Sequence, residues 1–402
     1  MRILFTPLAV HTHVFNMVPL AWACRAAGHD VRLATQPRVA DTIARAGLPA
    51  VIVGEGTDFQ DEAVAFLRGR PKQLREGDGS GAPDDSPAEP WIRTAKACAP
   101  ELIAFAEAWR PDLVVGDPMA YVGPLVAEVL DVPFVRLLWG PDWPKTGLGM
   151  GGYRQHGQEP VRWPRSLTGL YESYNARTAV DFAAATLDPF PPSLQLPGLV
   201  GRMTMRHVPY NGTGTVPEWL GEPPRRPRVC VTWGTNTTVY LGDAGFLVPR
   251  ILEGLVGLDV EIVLAVSAAD RSRIGTLPEG TRVVEQLPLD YLLPSCSAIV
   301  AQGGSGAVVT AAAHGVPQVL VPLIADQPTN ARLLADTGAG FLLDAATMDS
   351  ADVKAAVTAA VYEQDPRAAA LRLKEEIEAL PTPAQVVATL ERITGSAVSS
   401  SR

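Results

Sequence analysis

A glycine turn between a strand and a helix constrains this chain more than any other feature. An apolar segment, Ser297–Val300, runs into Gln302-Gly303-Gly304-Ser305-Gly306 and then into an Ala/Val-rich helix. A second apolar segment, Gln318–Pro322, follows, with the polar pair Asp326-Gln327 beyond its end. Glycines at such a turn let backbone N–H groups approach an anion, and the helix N-terminus adds a favourable dipole. Two polar groups at the mouth of the next strand can then hold whatever is attached to that anion.

The first half of the chain supplies the frame. A strand at Arg2–Phe5, a helix at Phe15–Ala27 ending at Gly28, a strand at Asp30–Ala34, a helix closing at Gly47 and a strand at Ala50–Val53 follow one another. This β-α-β-α-β order specifies a parallel, doubly wound sheet. Residues Arg68–Pro90 are rich in Gly, Pro, Asp and Ser without an apolar period, so a loop is expected there. Order resumes with a helix (Trp91–Trp109), a strand (Leu113–Val115), Asp117-Pro118, another helix and a strand (Phe134–Leu138) that ends at Trp139-Gly140-Pro141-Asp142.

Residues Asp188–Arg228 lack periodicity and carry many prolines, which reads as an interdomain connection with one crossing strand near Thr204–Val208. A fresh strand, Arg228–Val231, leads to Trp233-Gly234-Thr235, and strands at Val260–Ala265 and Arg282–Val284 precede the glycine turn. Amphipathic helices at Ser350–Glu363, Ala368–Ala379 and Pro383–Ile393 close the chain, with disorder expected after Gly395. At 402 residues the chain exceeds one ordinary core, so two α/β domains are expected. The expected division is a Rossmann-like domain over 1–200, a linker over 201–227, a second Rossmann-like domain over 228–380, and a C-terminal helix with tail over 381–402. Two such halves suggest a cleft, with ligands at the carboxyl ends of both sheets.

The formal net charge of −9 argues against nucleic acid and anionic membranes as partners. Cys24, Cys98, Cys230 and Cys296 show no paired spacing and read as reduced, buried thiols. The start, MRILFTPLAV, looks like a first core strand, not a signal peptide. No apolar run approaches the ~20 residues of a spanning helix. A soluble, cytoplasmic protein is the expectation.

Four motifs stand on this duplicated pattern: Thr12-His13-Val14-Phe15-Asn16-Met17-Val18-Pro19-Leu20-Ala21, the GGSG turn with His314-Gly315-Val316-Pro317, Ala325-Asp326-Gln327-Pro328-Thr329-Asn330-Ala331, and Tyr210-Asn211-Gly212 ahead of Trp219. Together they resemble the GT-B-fold glycosyltransferases of family 1, and in particular the actinobacterial enzymes that decorate polyketide antibiotics with nucleotide-activated deoxysugars. The resemblance covers nearly the whole chain. It implies an acceptor-binding first domain, a nucleotide-sugar-binding second domain facing it across a cleft, and inverting, metal-independent transfer from a dTDP-sugar to a hydrophobic polyketide-type aglycone. The dTDP-sugar is a co-substrate, so no cofactor is implied. It leaves room for a homodimer and for an auxiliary activator protein.

Under this resemblance His13, just beyond the first strand, is the general base, because a neutral alcohol is a poor nucleophile and imidazole titrates near neutrality. Asp117 would orient and charge-stabilise it, or cap the helix expected near Met119, or both. His11 is a competing, cleft-lining histidine. Gly234 and Thr235 are expected at the terminal phosphate. The glycine turn departs from the family: Gln302 stands where a phosphate-binding His is usual, and Ala307 where Ser or Thr is usual. Phosphate binding then leans on backbone N–H groups from Gly303 through Gly304, Ser305 and Gly306 to Ala307, each lost charged contact costing ~1–2 kcal/mol.

Gln286 and Leu287 are the nucleoside-facing residues, with Gln286 where many relatives stack an aromatic on the base. Thr310 stands where plant relatives hold ribose with Glu, which suits a thymidine donor lacking the 2′-hydroxyl. Asp326 and Gln327 are the sugar-binding pair. Trp139, Trp143 and Tyr153 are candidates for an apolar acceptor pocket. His314 reads as a helix C-cap. No Asp-x-Asp occurs, so no metal–diphosphate clamp is expected. A nicotinamide dehydrogenase would need a glycine-rich turn after the first strand, where Thr6-Pro7-Leu8-Ala9 stands. Three rival functions stay open: a sugar-nucleotide epimerase, a C-glycosyltransferase acting on an aromatic ring, and a non-catalytic helper.

Overall fold

The computed structural model describes residues 1–68, 88–142, 163–178, 182–197, 202–234 and 236–400. Trp143, Tyr153 and Thr235 lie outside the described residues, as does most of the loop expected at Arg68–Pro90. The chain forms two compact units, one of Met1–Pro189, Leu196–Arg206 and Pro381–Arg402, the other of Phe190–Gln195 and His207–Leu380.

The first unit holds a parallel sheet of seven strands: β1 (Arg2–Thr6), β2 (Asp30–Thr35), β3 (Ala50–Ile52), β4 (Leu113–Gly116), β5 (Phe134–Leu137), β6 (Ala183–Asp188) and β7 (Arg202–Thr204). Their order is β3-β2-β1-β4-β5-β6-β7. The centre is buried: β4 and β5 are covered along their whole length, as a sheet with helices on both faces requires. The strand order reverses between β1 and β4, where Thr6 lies beside Gly116. That switch point is where a doubly wound sheet opens a ligand crevice.

The second unit repeats the plan with β8 (Arg228–Thr232), β9 (Glu261–Ala265), β10 (Arg282–Val284), β11 (Ala298–Ala301), β12 (Gln318–Leu320) and β13 (Gly340–Leu342), in the order β10-β9-β8-β11-β12-β13. All of its pairings are parallel. Val229, Val231, Leu264, Val300 and Val319 form the buried core under the helices Val248–Leu255 and Ser350–Tyr362. Its switch point lies between β8 and β11, the two strands that end at Trp233-Gly234 and at Gln302.

The division differs from the one expected at 201–227 and 381–402. Arg202–Thr204 is a strand of the first sheet, paired to β6, and the second unit takes over at His207. The C-terminal segment belongs to the first unit. The helix Pro383–Ser400 packs on the helix His11–Ala26, buries Val386, Val387 and Leu390, and brings Glu391 within 3.2 Å of His29. It also runs beyond Gly395, where disorder was expected; adding residues to an existing helix is easier than nucleating one. Among the described residues no helix is long and apolar enough to cross a membrane.

Candidate active site

Two strand ends build the centre of the first unit. β1 leads through Val10 into the helix His11–Ala26, which starts earlier than the expected Phe15, so His13 sits in its first turn. β4, the neighbour of β1, leads to Asp117, whose N–H donates to the Thr6 carbonyl at 3.1 Å. The pairing brings together residues 104 apart in sequence: His13 Nδ1 lies 2.6 Å from Asp117 Oδ2. The carboxylate is 1 % exposed and the imidazole 12 %.

Asp117 uses both oxygens, because Oδ1 accepts the Met119 N–H at 2.8 Å. That second bond closes a tight Asx turn, not a helix cap, since the helix begins only at Val122. A carboxylate accepting from Nδ1 holds the proton there and leaves Nε2 as the basic nitrogen. Nε2 of His13 has no protein partner among the described residues.

Trp139, two residues past the end of β5, lies beside this centre, its ring centroid 4.6 Å from that of His13. Two contacts that the sequence did not disclose hold it there. Asn16 Nδ2 donates to the Leu138 carbonyl at 2.8 Å. Arg136 grips Asp142 through two bonds, of 3.2 and 2.6 Å, with both side chains buried, and so brackets the loop that carries Trp139. A buried bidentate pair of this kind fixes geometry more than it adds stability.

His11 is placed differently from the expectation. Two residues from His13 on a helix, it faces another direction, is exposed, and bonds Thr42 Oγ1 at 2.7 Å. Partial desolvation, then the Arg38 guanidinium, lowers its pKa below the usual imidazole value. An apolar crevice does open at the carboxyl ends of β1, β2 and β4, but neither His11 nor Trp139 lines it. Its walls include Leu8, Gln36, Val53, Trp91, Leu102 and Tyr121. Leu102 and Trp91 lie on the helix Glu89–Trp109.

In the second unit Gln302 follows β11 and is 7 % exposed. Its amide lies against the turn at Gly234, which has φ +61 and no room for a side chain: a Cβ there would collide with Gln302 Nε2. The carbonyl Oε1 is buried without a partner among the described residues. The helix Ser305–Ala313 starts at Gly304 without a side-chain cap. The five residues expected to cradle a phosphate divide in two. The Ser305 N–H and hydroxyl both donate to Asp326 Oδ2, at 2.9 and 2.6 Å, and the Ala307 N–H donates to the Gly304 carbonyl at 3.1 Å. The N–H groups of Gly303, Gly304 and Gly306 have no protein partner among the described residues, so three of the five amides are left unengaged.

Asp326 follows Ala325, a non-glycine residue at φ +56, a conformation that costs energy and tends to mark functional turns. Besides Ser305, its Oδ2 accepts from Asn330 Nδ2 at 2.9 Å, and Oδ1 has no protein partner among the described residues. Asn330, 2 % exposed, also donates to the Gly303 carbonyl and Ser305 Oγ, each at 2.9 Å, and so ties the glycine turn to Asp326. Gln327 departs from its expected role. Its Oε1 accepts the Leu323 and Ile324 N–H groups and its Nε2 donates to Thr237 Oγ1, so a buried amide is spent on shaping the loop.

Thr310 is also misplaced by the sequence reading. It is wholly buried, donates to the Gly306 carbonyl at 2.6 Å and lies 3.4 Å from Asn211 Nδ2, so no hydroxyl is offered to a nucleoside. Gln286 and Leu287 remain accessible, Gln286 at φ +54. Asn211, expected only as linker, accepts the Asp290 N–H at 3.0 Å, and Gly214 packs the same segment against the turn at 286–288. His314 is a C-cap as expected, and its ring lies 2.8 Å from Asp290. Among the described residues no cluster of three or more His, Cys, Asp or Glu side chains is set to hold a metal ion.

Residues 22–72 and 86–234 match the N-terminal domain, and residues 249–393 the C-terminal domain, of the erythromycin biosynthesis protein CIII-like family. The chain is 38% identical to 10-deoxymethynolide desosaminyltransferase of Streptomyces venezuelae, over 98% of this chain and 97% of that protein. It is 37% identical to tylactone mycaminosyltransferase of Streptomyces fradiae, over 98% and 92%. Among solved structures, spinosyn forosaminyltransferase SpnP aligns with a TM-score of 0.81 at 35% identity, covering 98% of this chain and 99% of its own. The glycosyltransferase VinC in complex with dTDP aligns at 0.80 and 31% identity, covering 98% and 100%. With its duplicated parallel sheets and this likeness along its length, the chain belongs to the erythromycin biosynthesis protein CIII-like family and is a glycosyltransferase of the GT-B fold.

Proposed function

We propose that the protein transfers a deoxysugar from a dTDP-sugar to a hydroxyl group of a polyketide-type aglycone, with inversion at the anomeric carbon. The observation that carries this reading is the His13–Asp117 pair at 2.6 Å, with Nδ1 engaged and Nε2 unengaged. In this reading Nε2 takes the acceptor proton as the oxygen attacks the anomeric carbon. The carbon–oxygen bond to the diphosphate breaks, dTDP departs, and the new glycosidic bond forms on the opposite face. Asp117 stabilises the imidazolium that results. A positioned base of this kind supplies roughly 10²–10⁴ in rate.

The leaving diphosphate is received by the Gly304 and Gly306 N–H groups, the start of the helix Ser305–Ala313 and the Gln302 amide, all neutral donors and without a metal ion. Asp326 orients the sugar through its remaining oxygen. The identity of the donor is supported by relatives: VinC was solved in complex with dTDP, and spinosyn rhamnosyltransferase SpnG with thymidine diphosphate and with spinosyn aglycone. The sugar class is supported by the 2-deoxy-L-fucose transferase for aclacinomycin T and by the desosaminyl transferase for 3-alpha-mycarosylerythronolide B, both similar along their length. The test is direct: the protein is incubated with dTDP-desosamine or dTDP-L-rhamnose and a panel of aglycones, and the product is isolated for NMR. A glycoside with inverted anomeric configuration supports the reading. Retained configuration, or transfer from UDP-sugars in preference to dTDP-sugars, would count against it.

A further inference from the structure

The segment Tyr210–Gly214 carries none of the chemistry above, yet within the second unit it is bonded and packed against the turn that follows β10. That turn, 286–288, joins β10 to the short helix Leu289–Leu292. Gln286 stands on it exposed at φ +54, a strained backbone that the surrounding structure has to hold in place.

Two contacts from the segment bear on the turn. A Cβ built on Gly214 would stand 2.4 Å from Pro288 Cδ and 3.2 Å from the Gln286 carbonyl oxygen. Ordinary carbon contacts lie at roughly 3.5–4.0 Å. A pyrrolidine ring cannot swing aside as the tip of a long side chain can, so glycine is what allows this approach. Asn211 makes the second contact. Its Oδ1 accepts the Asp290 N–H at 3.0 Å, and only the carbonyl end of an amide can take that bond. Nδ2 is thereby turned to Thr310 Oγ1, 3.4 Å away, and the Thr310 hydroxyl donates to the Gly306 carbonyl at 2.6 Å. One half-buried side chain thus links the turn beyond β10 to the first turn of the helix Ser305–Ala313. His314, the C-cap of that helix, adds a parallel tie through Asp290, so losing Asn211 loosens the link without severing it.

A nucleoside diphosphate has a limited span, so the place that takes its base and the place that takes its diphosphate must keep their separation. We propose that Asn211 and Gly214 are positioning residues for the nucleotide, setting Gln286 and Leu287 at the distance from the glycine turn that thymidine diphosphate requires. This rests on the reading that the base lies at Gln286 and Leu287 with the diphosphate at the glycine turn, and it adds what holds the two in register. Both residues act through the turn and lie outside the proton-transfer machinery.

Gly214→Ala, at an exposed position, and Asn211→Ala test this. On wild type and each variant, dTDP affinity is measured by calorimetry and inorganic pyrophosphate by its displacement of dTDP, with melting temperature recorded. Pyrophosphate has no base, so it separates a displaced turn from a loosened unit. The dTDP affinity should fall about tenfold in Gly214→Ala and about 3- to 10-fold in Asn211→Ala. The pyrophosphate constant should stay within about twofold of wild type, because the glycine turn keeps its own tie through Asn330. Adding Pro288→Ala to Gly214→Ala removes the ring atoms that the methyl group strikes. The double variant should then bind dTDP within about threefold of the Pro288→Ala single variant. Unchanged dTDP affinity in both alanine variants overturns the proposal. So does a parallel loss of dTDP and pyrophosphate binding, which would assign both residues to the general stability of the unit. Additive losses in the double variant also overturn it, since the contact with Pro288 would then not be the cause. Failure of the transferase reading shows separately, as wild-type protein that binds no dTDP, and takes this proposal with it.

Discussion

Replacing Asp117 with Asn tests the orientation of the base without emptying the site. The substituted amide has one acceptor and one donor end, and the structure dictates how they are shared. The Met119 N–H, 2.8 Å from Oδ1, can be satisfied only by the amide oxygen. The NH₂ end must then face His13 Nδ1, which at 2.6 Å becomes an acceptor and loses its proton to Nε2. The nitrogen needed as a base is thereby occupied by hydrogen. In a serine-protease triad the same exchange lowers turnover about 10⁴-fold, and a loss of roughly 10³–10⁴ is expected here, about 4–5.5 kcal/mol in the barrier. The size and shape of the buried side chain are kept, so stability should change by about 1 kcal/mol or less. The assay is steady-state release of dTDP, with donor affinity and melting temperature measured alongside. An Asp117→Asn enzyme that turns over within tenfold of wild type, with dTDP affinity and fold intact, would show that Asp117 does not set the tautomer of His13.

Three further outcomes are expected. Gly234→Ala places a methyl group against Gln302 Nε2 at a φ of +61, so dTDP affinity should fall about tenfold or more by calorimetry while the His13–Asp117 pair is untouched. Asn330→Ala strips three acceptors of their common donor in a buried position, and chemical denaturation should show a loss of about 1–3 kcal/mol together with a raised donor KM. His207 has its pKa lowered to about 4, by desolvation first and the His314 charge second. The folded value lies below the unfolded one, so the unfolded state binds the extra proton; stability should fall as pH drops from about 6.5 towards 4 and be flat above. The pH-dependent part should be on the order of 1–3 kcal/mol and absent in His207→Gln.

Much of this was legible in the chain because the physics was local. The apolar runs of β1, β4, β8 and β11 fit central parallel strands, and a residue just past such a strand must sit at a sheet end, which located His13, Asp117, Gly234 and Gln302. What was not legible depends on partners far along the chain. β6 carries three alanines whose weak periodicity concealed a strand. The amphipathic helix Pro383–Ser400 reads the same whichever unit it packs on, and only the contact with the helix His11–Ala26 decides. Thr310 and Gln327 matched a binding pattern, but helix phase buried one and turned the other's amide inward onto Leu323, Ile324 and Thr237. The Arg136–Asp142 clamp is invisible without the loop that brings its two charges together.

Proton removal by His13 is the step on which the proposed transfer depends, and His13→Ala measures it. Single-turnover product formation should fall at least about 10²-fold with dTDP affinity unchanged, since the expected nucleotide contacts belong to the second unit. Turnover within about tenfold of wild type at the same pH would remove His13 from the mechanism.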